Sequence, residues 1–358
     1  MKVIQVIPNL CMGGAEIMCE ALTLELAKNG IEVKIASLYS CETPITQRLI
    51  QAGIQIEFLD KKPGMDLSII TKLKKLFKRE RPDVVHSHLN AQKYAIIAAK
   101  QAAVPVRVHT VHSVAEEELS RVDKIIAKIF YKKHKVIPIA LSDRIQDTIV
   151  NVYGLSPASI PIIFNGINLS NCIKKENYNI DETIKILHIG RFSQVKNHKG
   201  LINAFKMFHT VKPNSVLHLV GDGNTFEEVK KHVVDNGLED SVLFFGMQAS
   251  VYRFINEADV FILPSLYEGI PMTLIEAMGT GIPIIASNVG GIPNMLTNNE
   301  SAILTSVDSQ EIAKELLRLS EDVELRKRLG QNALVRSKEF SSEEMARQYI
   351  KVYQGVLK

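Results

Sequence analysis

The stretch from Pro264 to Pro293 constrains the fold of this 358-residue chain more than any other feature. The apolar run VFIL before it predicts a buried strand, and this strand ends in a loop that carries Glu268. Gly269 and Pro271 break that loop, TLIEAMGTG predicts a helix, and IPIIAS predicts a second buried strand. A strand, a loop, a helix and a strand in about thirty residues form a βαβ unit, which favours a parallel sheet that binds ligands at its strand carboxyl ends.

The loop before this helix combines two features that rarely occur together. Free backbone amides at a helix N-terminus form a ready anion site. However, Glu268 precedes the helix and Glu276 lies within it, eight positions later. A carboxylate beside an anion site is unfavourable unless the ligand also brings hydroxyl groups. A nucleotide sugar is such a ligand, because its pyrophosphate is flanked by ribose and sugar hydroxyls.

Length and pattern predict two domains of similar size. A chain of 358 residues is too long for one ordinary core, and 46% hydrophobic with 23% charged residues is typical of a globular protein. Strands and helices alternate over residues 1–165, which predicts a doubly wound α/β domain. Residues 166–182 are polar and predict a linker, residues 183–340 predict a second α/β domain, and residues 341–358 include an amphipathic helix.

Composition argues against several classes of protein. No run approaches the roughly eighteen apolar residues of a membrane span, and the first residues predict a strand rather than a signal peptide. The four cysteines have neither metal-site spacing nor a disulfide framework, so we expect reduced thiols and a cytoplasmic protein. No dense basic patch with a recognisable nucleic-acid module is present, so nucleic acid is not an expected partner.

Positive charge is concentrated in the first half of the chain. Residues 1–165 contain 22 Lys and Arg against 16 Asp and Glu, a net charge of +6, while the remainder carries −2. Two segments, 72–81 and 124–135, hold much of this charge, and the second interleaves five lysines with isoleucines and aromatic residues. That mixture suits a helix at an anionic membrane surface. It equally suits a core-packed helix with a solvated lysine face, and the sequence leaves both interpretations open.

The E-x7-E pattern of Glu268 and Glu276, followed by EAM, GIPII and a GG pair, resembles the signature of the family 4 retaining glycosyltransferases. The resemblance extends over nearly the whole chain. It implies the GT-B fold, an α/β architecture in which two Rossmann-like doubly wound domains face each other across a cleft. In that fold the last helix, here within residues 341–358, packs back on the first domain.

The resemblance also implies an activity. It predicts retaining transfer of a hexose or N-acetylhexosamine from a nucleotide sugar, with UDP-sugars favoured over GDP-sugars, in polysaccharide or surface-glycan synthesis. The acceptor would be a glycan, lipid-linked in many members of the family. No cofactor and no metal are implied. Such an enzyme would be cytoplasmic, with an anionic membrane surface on its inner face as a candidate partner.

Individual residues match positions of the family signature in the second domain. Gly190, Arg191 and Lys196 match a GR-x4-K element, whose cations take up the charge that develops on a departing diphosphate. The resemblance assigns Glu268 to the hydroxyls of the transferred sugar and Glu276 to the ribose. The remaining candidate contacts to the donor are Met247, Gly269 and the backbone amides of Met272, Thr273 and Leu274.

The first domain supplies further candidates. His112 matches the family histidine that contacts the donor sugar near its hydroxymethyl group, and Gly13 and Gly14 match a loop that faces the distal phosphate. His86, His88, His109 and His112 tempt a zinc interpretation, but no cysteine or paired carboxylate completes a zinc set. We therefore predict no metal site.

The same residues also suggest functions other than a transferase. A glycosidase-like pair of carboxylates fits poorly, because Glu276 cannot face a ribose and also flank the anomeric carbon. A non-hydrolysing nucleotide-sugar epimerase shares the GT-B architecture and also holds a pyrophosphate, and a non-catalytic partner of another transferase would have a binding role without catalysis. The chain departs from the family pattern at a hinge, where Phe164 replaces a proline and Asn168 an aspartate, and at a peripheral position, where Asn294 replaces a glutamate.

Overall fold

A computed structural model describes residues 1–11, 13–248 and 250–357. The chain divides into two compact units. The first comprises Met1–Ile167 together with the described residues from Ser341 onward, and the second comprises Asn168–Phe340. The chain therefore leaves the first unit once and returns to it with its last helix.

The first unit is built on a parallel sheet that has six strands within the described residues, in the order β3-β2-β1-β4-β5-β6. The strands are β1 (Lys2–Ile7), β2 (Glu32–Ser37), β3 (Gln55–Phe58), β4 (Val84–His88), β5 (Val106–Val111) and β6 (Ile137–Ala140). Strands β1, β4 and β5 are almost entirely buried, as expected for a parallel sheet with helices on both faces.

The helices of the first unit follow the strands in alternation. They are α1 (Gly14–Lys28), α2 (Pro44–Gln51), α3 (Ser68–Glu80), α4 (Gln92–Gln101), α5 (Ala115–Glu118), α6 (Arg121–Lys133) and α7 (Asp143–Tyr153). Local sequence sets several of their ends. Ser142 caps α7 by accepting from the Ile145 amide, and Gly154 ends it in the left-handed conformation.

The second unit repeats this plan. Its parallel sheet has six strands in the described chain, in the order β12-β11-β10-β7-β8-β9. The strands are β7 (Ile184–Ile189), β8 (Ser215–Val220), β9 (Val242–Phe244), β10 (Val260–Leu263), β11 (Ile284–Ser287) and β12 (Ile303–Thr305). Its helices are α8 (His198–Val211), α9 (Phe226–Asp235), α10 (Tyr252–Glu257), α11 (Met272–Thr280), α12 (Ile292–Met295), α13 (Ser309–Glu321) and α14 (Val323–Ser337).

Both sheets are Rossmann-like and doubly wound, so the predicted fold class is confirmed. In each sheet the strand order reverses at one point, between β1 and β4 in the first unit and between β7 and β10 in the second. Ligands of such sheets bind outside the strand carboxyl ends at this switch point. The loops that follow these four strands are therefore where a site is expected.

The last helix, α15 (Ser342–Leu357), belongs to the core of the first unit. Its Tyr349 and Tyr353 are fully buried. The Tyr349 hydroxyl lies 2.7 Å from Thr110 Oγ1, and the Tyr353 hydroxyl lies 2.8 Å from His86 Nδ1. The first unit therefore depends on residues from both ends of the chain.

The sequence IPIIFNGIN, at residues 160–168, predicts a further strand, and this prediction is wrong. Ile162 forms only a single bridge with Ala140, through hydrogen bonds that flank it on both sides. The segment that follows is not wholly exposed either. Tyr178 is buried, and its hydroxyl donates to the Gly281 carbonyl at 2.9 Å.

Candidate functional site

The switch point of the second unit brings together a lysine and a glutamate that are far apart in sequence. Lys196 lies in a short 3-10 turn after β7, and Glu268 lies in the loop after β10. The Lys196 Nζ atom is 2.5 Å from Glu268 Oε1, which also accepts a hydrogen bond from Ser265 Oγ at 2.6 Å. The two charged side chains are only 18% and 10% exposed, so the pair is largely shielded from water.

Backbone contacts hold these two loops in register. The Leu266 amide donates to the Val195 carbonyl at 2.7 Å. Asn197 adopts a left-handed conformation, and its side-chain amide donates to the Pro264 carbonyl at 3.1 Å. The Lys196–Glu268 pair therefore rests on a fixed backbone frame.

The glycine pair after β11 is required for close approach to the same loop. Gly290 has a φ of +57°, and a Cβ atom there would lie 1.8 Å from the Glu268 carbonyl oxygen. The Gly291 amide donates to this oxygen at 3.1 Å. Only glycine fits this arrangement at residue 290.

The N-terminus of α11 lies at the end of the Glu268 loop and presents free amides. Pro271, the residue before the helix, is extended, and no side chain caps it. The Leu274 amide already donates to the Pro271 carbonyl at 3.0 Å, so it is not free to bind a ligand here. No acceptor for the amides of Met272 and Thr273 is found in the described part of the chain. Two of the three predicted amides are thus free for an anion.

The other predicted residues of this unit are accessible. Arg191 is exposed, and no ion pair with it is found among the described residues. Met247, shortly after β9, is 76% exposed, and Gly269 is half-buried. A free guanidinium at a strand carboxyl end can bind two oxygens of a phosphate group.

Glu276 has different surroundings from Glu268. It lies within α11, is half-buried, and burial raises the pKa of its carboxyl to about 7. Nothing in the described structure forms a hydrogen bond or an ion pair with this carboxylate. Burial raises the pKa of the Tyr252 hydroxyl, and the nearby Glu276 carboxylate adds to this effect. Glu276 is therefore a desolvated acceptor without a partner in the described chain.

In the first unit, Gly13 and Gly14 lie at the N-terminus of α1, after the switch-point strand β1. Glu16, which the sequence analysis did not single out, folds back towards them, and a Cβ atom on Gly13 would lie 2.4 Å from its Oε2 atom. Burial raises the pKa of the Glu16 carboxyl. Its position two residues after a glycine pair at a helix start is the signal that could have identified it.

Four histidines of the first unit, on β4, on β5 and directly after β5, form a cluster in which His86, His88 and His109 are fully buried. His86 and His88 have ring centroids 4.2 Å apart, and His88 Nδ1 lies 3.1 Å from His112 Nε2. Burial lowers the pKa of His112 to about 4 and that of His109 to about 3. The cluster is therefore neutral near pH 7.

Two further polar groups complete this cluster, and the sequence analysis missed both. Gln5 accepts from His88, and the Glu118 carboxyl accepts from the His112 backbone amide at 2.8 Å. Gln5 could have been identified as a polar residue inside the otherwise apolar strand segment VIQVI. Across the described residues, no group of three His, Cys, Asp or Glu side chains is arranged to hold a metal ion.

Two Rossmann-like units, each with a helix N-terminus at its switch point, form the architecture of the GT-B fold. Comparison with known proteins gives the family. The family model described as Glycosyltransferase Family 4 matches residues 12–171. The model described as Glycosyl transferases group 1 matches residues 172–336. The chain belongs to the family 4 glycosyltransferases.

Two curated relatives illustrate the range of the family. The chain is 31% identical over 278 residues to the Escherichia coli UDP-Gal:alpha-D-GlcNAc-diphosphoundecaprenol alpha-1,3-galactosyltransferase, covering 72% of this chain and 71% of that protein. It is 30% identical over 312 residues to the Bacillus anthracis N-acetyl-alpha-D-glucosaminyl L-malate synthase, covering 83% and 81% of the two chains.

Solved structures share the fold over the whole chain. A glycosyltransferase from Rickettsia africae has a TM-score of 0.84 at 18% identity, covering 100% of this chain and 98% of its own. Anabaena Alr3699/HepE, solved with UDP and glucose, has a TM-score of 0.83 at 20% identity and covers 99% of both chains.

Proposed function

We propose that this glycosyltransferase moves a hexose or N-acetylhexosamine from a UDP-sugar to a lipid-linked glycan, with retention at the anomeric carbon. The observation that carries the nucleotide-sugar part is the Lys196–Glu268 pair beside the free amides of α11. A cation, a carboxylate and a helix N-terminus at one switch point suit a ligand that combines a pyrophosphate with sugar hydroxyls. Retention rests on the family signature around Glu268 and Glu276.

Each residue has a distinct part in this proposal. Lys196, Arg191 and the amides of Met272 and Thr273 neutralise the diphosphate as it leaves, which stabilises the transition state. Glu268 accepts hydrogen bonds from hydroxyls of the transferred sugar through Oε2, because Lys196 and Ser265 already contact Oε1.

The remaining assignments follow the family signature. Glu276, once ionised, accepts the ribose hydroxyls, and His112 contacts the transferred sugar. The Gly13-Gly14 loop contacts the distal phosphate, and Met247 and Gly269 line the nucleotide. The departing phosphate itself helps to deprotonate the acceptor on the same face, so no enzymic nucleophile is required.

The choice of a UDP-sugar is supported by what the relatives are named for. The Escherichia coli relative is named for UDP-Gal, and Anabaena HepE was solved with UDP-glucose. The acceptors named for the two curated relatives differ, since one is a diphosphoundecaprenol-linked sugar and the other is L-malate. The surface of the first unit favours a lipid-linked acceptor here.

Helix α6 carries an exposed apolar stripe. Val122, Ile125 and Ile129 are 62%, 64% and 42% exposed, and their spacing of three and four places them on one face of the helix. The opposite face packs into the core through Ala127, Phe130 and Tyr131. Exposed lysines at 128, 132 and 133 flank the stripe. Apolar and basic side chains in this arrangement suit an anionic bilayer surface.

The other basic segment provides a contrast. Helix α3 has exposed lysines, but its apolar residues Ile69, Leu73, Leu76 and Phe77 are all buried. It is thus a core-packed helix with a solvated basic face. No helix in the described chain is long and apolar enough to cross a bilayer. The exposed apolar stripe and lysines of α6 support our proposal of peripheral docking through this helix on the cytoplasmic side.

A donor-hydrolysis screen without acceptor tests the catalytic proposal. UDP-glucose, UDP-galactose, UDP-GlcNAc, UDP-GalNAc and GDP-mannose are each incubated with the protein, and free nucleoside diphosphate is measured. We expect slow release of UDP from one UDP-sugar, with the released sugar in its original anomeric form. Interconversion of two UDP-sugars without net hydrolysis would indicate an epimerase instead. No nucleotide release from any of these donors would indicate a non-catalytic partner.

Vesicle co-sedimentation tests the docking surface. We expect binding to phosphatidylglycerol vesicles, weak binding to phosphatidylcholine vesicles, and release by salt, since salt screens the attraction. Changing Lys128, Lys132 and Lys133 to glutamate should abolish binding and leave donor hydrolysis intact. The matched control changes Lys74, Lys75 and Lys78 of α3 to glutamate, which gives the same charge change without an apolar stripe. Equal loss in both variants, or no binding by the unmodified protein, would contradict docking through α6.

A further inference from the structure

A chain of hydrogen bonds begins at Gln5, in the centre of β1, and ends at His112. The Gln5 side chain is fully buried, and its Nε2 atom donates to Thr23 Oγ1 at 3.1 Å. This orientation directs the amide oxygen away from Thr23. That oxygen accepts from the Cys19 thiol at 3.8 Å and lies 2.6 Å from His88 Nε2. A buried amide is costly unless its groups are bonded, and both ends of Gln5 are.

The Gln5 oxygen determines which nitrogen of His88 carries the proton. A carbonyl oxygen only accepts hydrogen bonds, so His88 Nε2 must be the protonated, donating nitrogen. Burial holds the pKa of His88 well below its usual range, so the ring is neutral and its Nδ1 atom has only a lone pair. His88 Nδ1 lies 3.1 Å from His112 Nε2 and therefore accepts from it.

The proton position on His88 in turn determines that on His112. Its Nε2 atom must carry the proton that it donates to His88. Burial lowers the pKa of His112 to about 4, so this ring is neutral as well and its Nδ1 atom is a bare acceptor. No hydrogen bond to this Nδ1 atom is found among the described residues. It is the nitrogen of His112 that is left for a ligand.

We propose that Gln5 and His88 are positioning residues that fix His112 in its Nε2-protonated tautomer, so that Nδ1 accepts a hydrogen bond from a hydroxyl of the transferred sugar. This inference rests on the proposed contact between His112 and the sugar. It deepens that contact by assigning its direction: the sugar hydroxyl donates and the histidine accepts. The opposite tautomer would set an N–H against the same hydroxyl and reverse the recognition.

Two other buried histidines provide internal references. His109 Nδ1 lies 3.0 Å from the Ser87 carbonyl oxygen, and His188 Nδ1 lies 2.9 Å from the Ile262 carbonyl oxygen. Each must therefore be protonated at Nδ1, which is the opposite tautomer to that of His112. In the described structure neither ring forms a hydrogen bond with Gln5, so both should be insensitive to changes there.

Nitrogen-15 NMR of the full-length, ligand-free protein, labelled on histidine, measures these tautomers directly. Signals are assigned with His112→Gln and His109→Gln. At pH 7.5 we expect His112 and His88 to be protonated at Nε2 only, and His109 and His188 at Nδ1 only. A His112 ring that is protonated at Nδ1 or on both nitrogens would overturn the proposal without any variant.

Two substitutions of Gln5 test its part in the chain. Gln5→Met removes the oxygen and should give His112 a mixture of tautomers, while Gln5→Glu keeps an acceptor and should retain the Nε2 form. The reference signals of His109 and His188 report whether each variant is folded. An unchanged His112 tautomer in folded Gln5→Met protein would overturn the positioning part. If Gln5→Met does not fold, Thr23→Val, which frees the amide to rotate, serves the same purpose.

A kinetic arm separates this inference from the proposed function. With UDP-galactose as the probe, Gln5→Met should lower kcat/KM for donor hydrolysis roughly tenfold, the scale of one hydrogen bond. Affinity for UDP alone should not change, and Gln5→Glu should restore the rate. If the unmodified protein hydrolyses no nucleotide sugar, the proposed function fails. The tautomer measurement still decides whether the hydrogen-bond chain from Gln5 to His112 positions His112.

Discussion

At the scale of single residues, the two glutamates of the E-x7-E pattern differ in what already contacts them. Glu268 is ion-paired with Lys196, whereas Glu276 is desolvated, has no partner in the described structure and has a pKa raised to about 7. The E-x7-E pattern therefore contains two glutamates in different electrostatic environments, and the sequence does not distinguish them. This difference supports separate parts for them and allows them to be tested apart.

The first prediction concerns these two carboxyls. Glu276→Gln should chiefly weaken binding of UDP, and Glu268→Gln should chiefly lower turnover. In the unmodified protein, UDP affinity should fall as pH falls from 8 to 6, because protonation of Glu276 removes an acceptor for the ribose hydroxyls. Titration calorimetry across this range measures it. If UDP affinity depends as steeply on pH in Glu276→Gln, Glu276 is not the group that titrates. Loss of UDP binding in Glu268→Gln but not in Glu276→Gln would contradict the assignment of the two glutamates.

The second prediction concerns Glu118, whose side chain is 2% exposed. Burial raises the pKa of its carboxyl from 4.5 to about 8. The folded state therefore binds more protons than the unfolded state between these values, and its contribution to the free energy of unfolding decreases as pH rises through that window. Glu118→Gln should remove this loss, which amounts to a few kcal/mol at most.

Thermal unfolding measures the effect of Glu118→Gln. The Tm of the variant should exceed that of the unmodified protein at pH 8.5, and the difference should vanish near pH 4. Glu116→Gln, on the exposed side of α5, is the matched control and should leave the pH profile unchanged. A Glu118→Gln variant that loses most stability at pH 8.5 would contradict a neutral buried carboxyl.

At the scale of elements, α11 offers a way to remove one amide without removing a side-chain charge. Met272 is the first residue of this helix, and Pro271 before it is extended, with φ −72° and ψ 121°. Proline is tolerated at the first position of a helix and after an extended residue, so it should fit at residue 272. It would remove the N–H group of that residue. Met272→Pro should weaken UDP binding by roughly tenfold.

The control for this third prediction is Met272→Ala, which keeps the amide and should bind UDP like the unmodified protein. Circular dichroism and Tm report whether α11 survives in both variants. If Met272→Pro is folded and binds UDP normally, the amide does not contact the phosphate. If both variants bind equally poorly, the side chain rather than the amide is responsible.

Elements also show where prediction from sequence succeeds and where it stops. Apolar runs predict β7, β10 and β11, because the strands of a parallel sheet covered on both faces are mostly apolar. Pro271 and Gly281 mark the two ends of α11. The two basic segments look alike in sequence, yet α3 buries its apolar residues and α6 exposes three of them. Periodicity gives the face of a helix but not what covers that face, which depends on tertiary packing.

At the scale of the whole molecule, both ends of the chain build the first unit. Tyr349 and Tyr353 of α15 contact Thr110 and His86, which are more than 230 residues away. Composition and length predict two α/β domains, and the resemblance places the last helix, but neither predicts these contacts. The hydrogen-bond chain from Gln5 to His112 is equally unpredictable from sequence, since it joins β1, β4 and the residue directly after β5.

The same limit applies to the candidate site. The motifs predict which residues are involved, because Gly190, Arg191, Lys196 and Glu268 each follow an apolar strand. They do not predict that the Leu274 amide is taken by Pro271, or that Lys196 and Glu268 form a 2.5 Å pair. Such details depend on loop conformation, which a strand-and-helix pattern does not specify.

The central claim is that Lys196 and Arg191 act on a departing nucleoside diphosphate, and UDP release from the UDP-sugar chosen by the screen tests it most directly. Lys196→Ala and Arg191→Ala should each lower the rate by on the order of 10²-fold. Lys199→Ala removes an exposed lysine that lies three residues after Lys196 and is ion-paired with Glu228, and this variant should keep the full rate. Unchanged UDP release in both Lys196→Ala and Arg191→Ala would contradict the site.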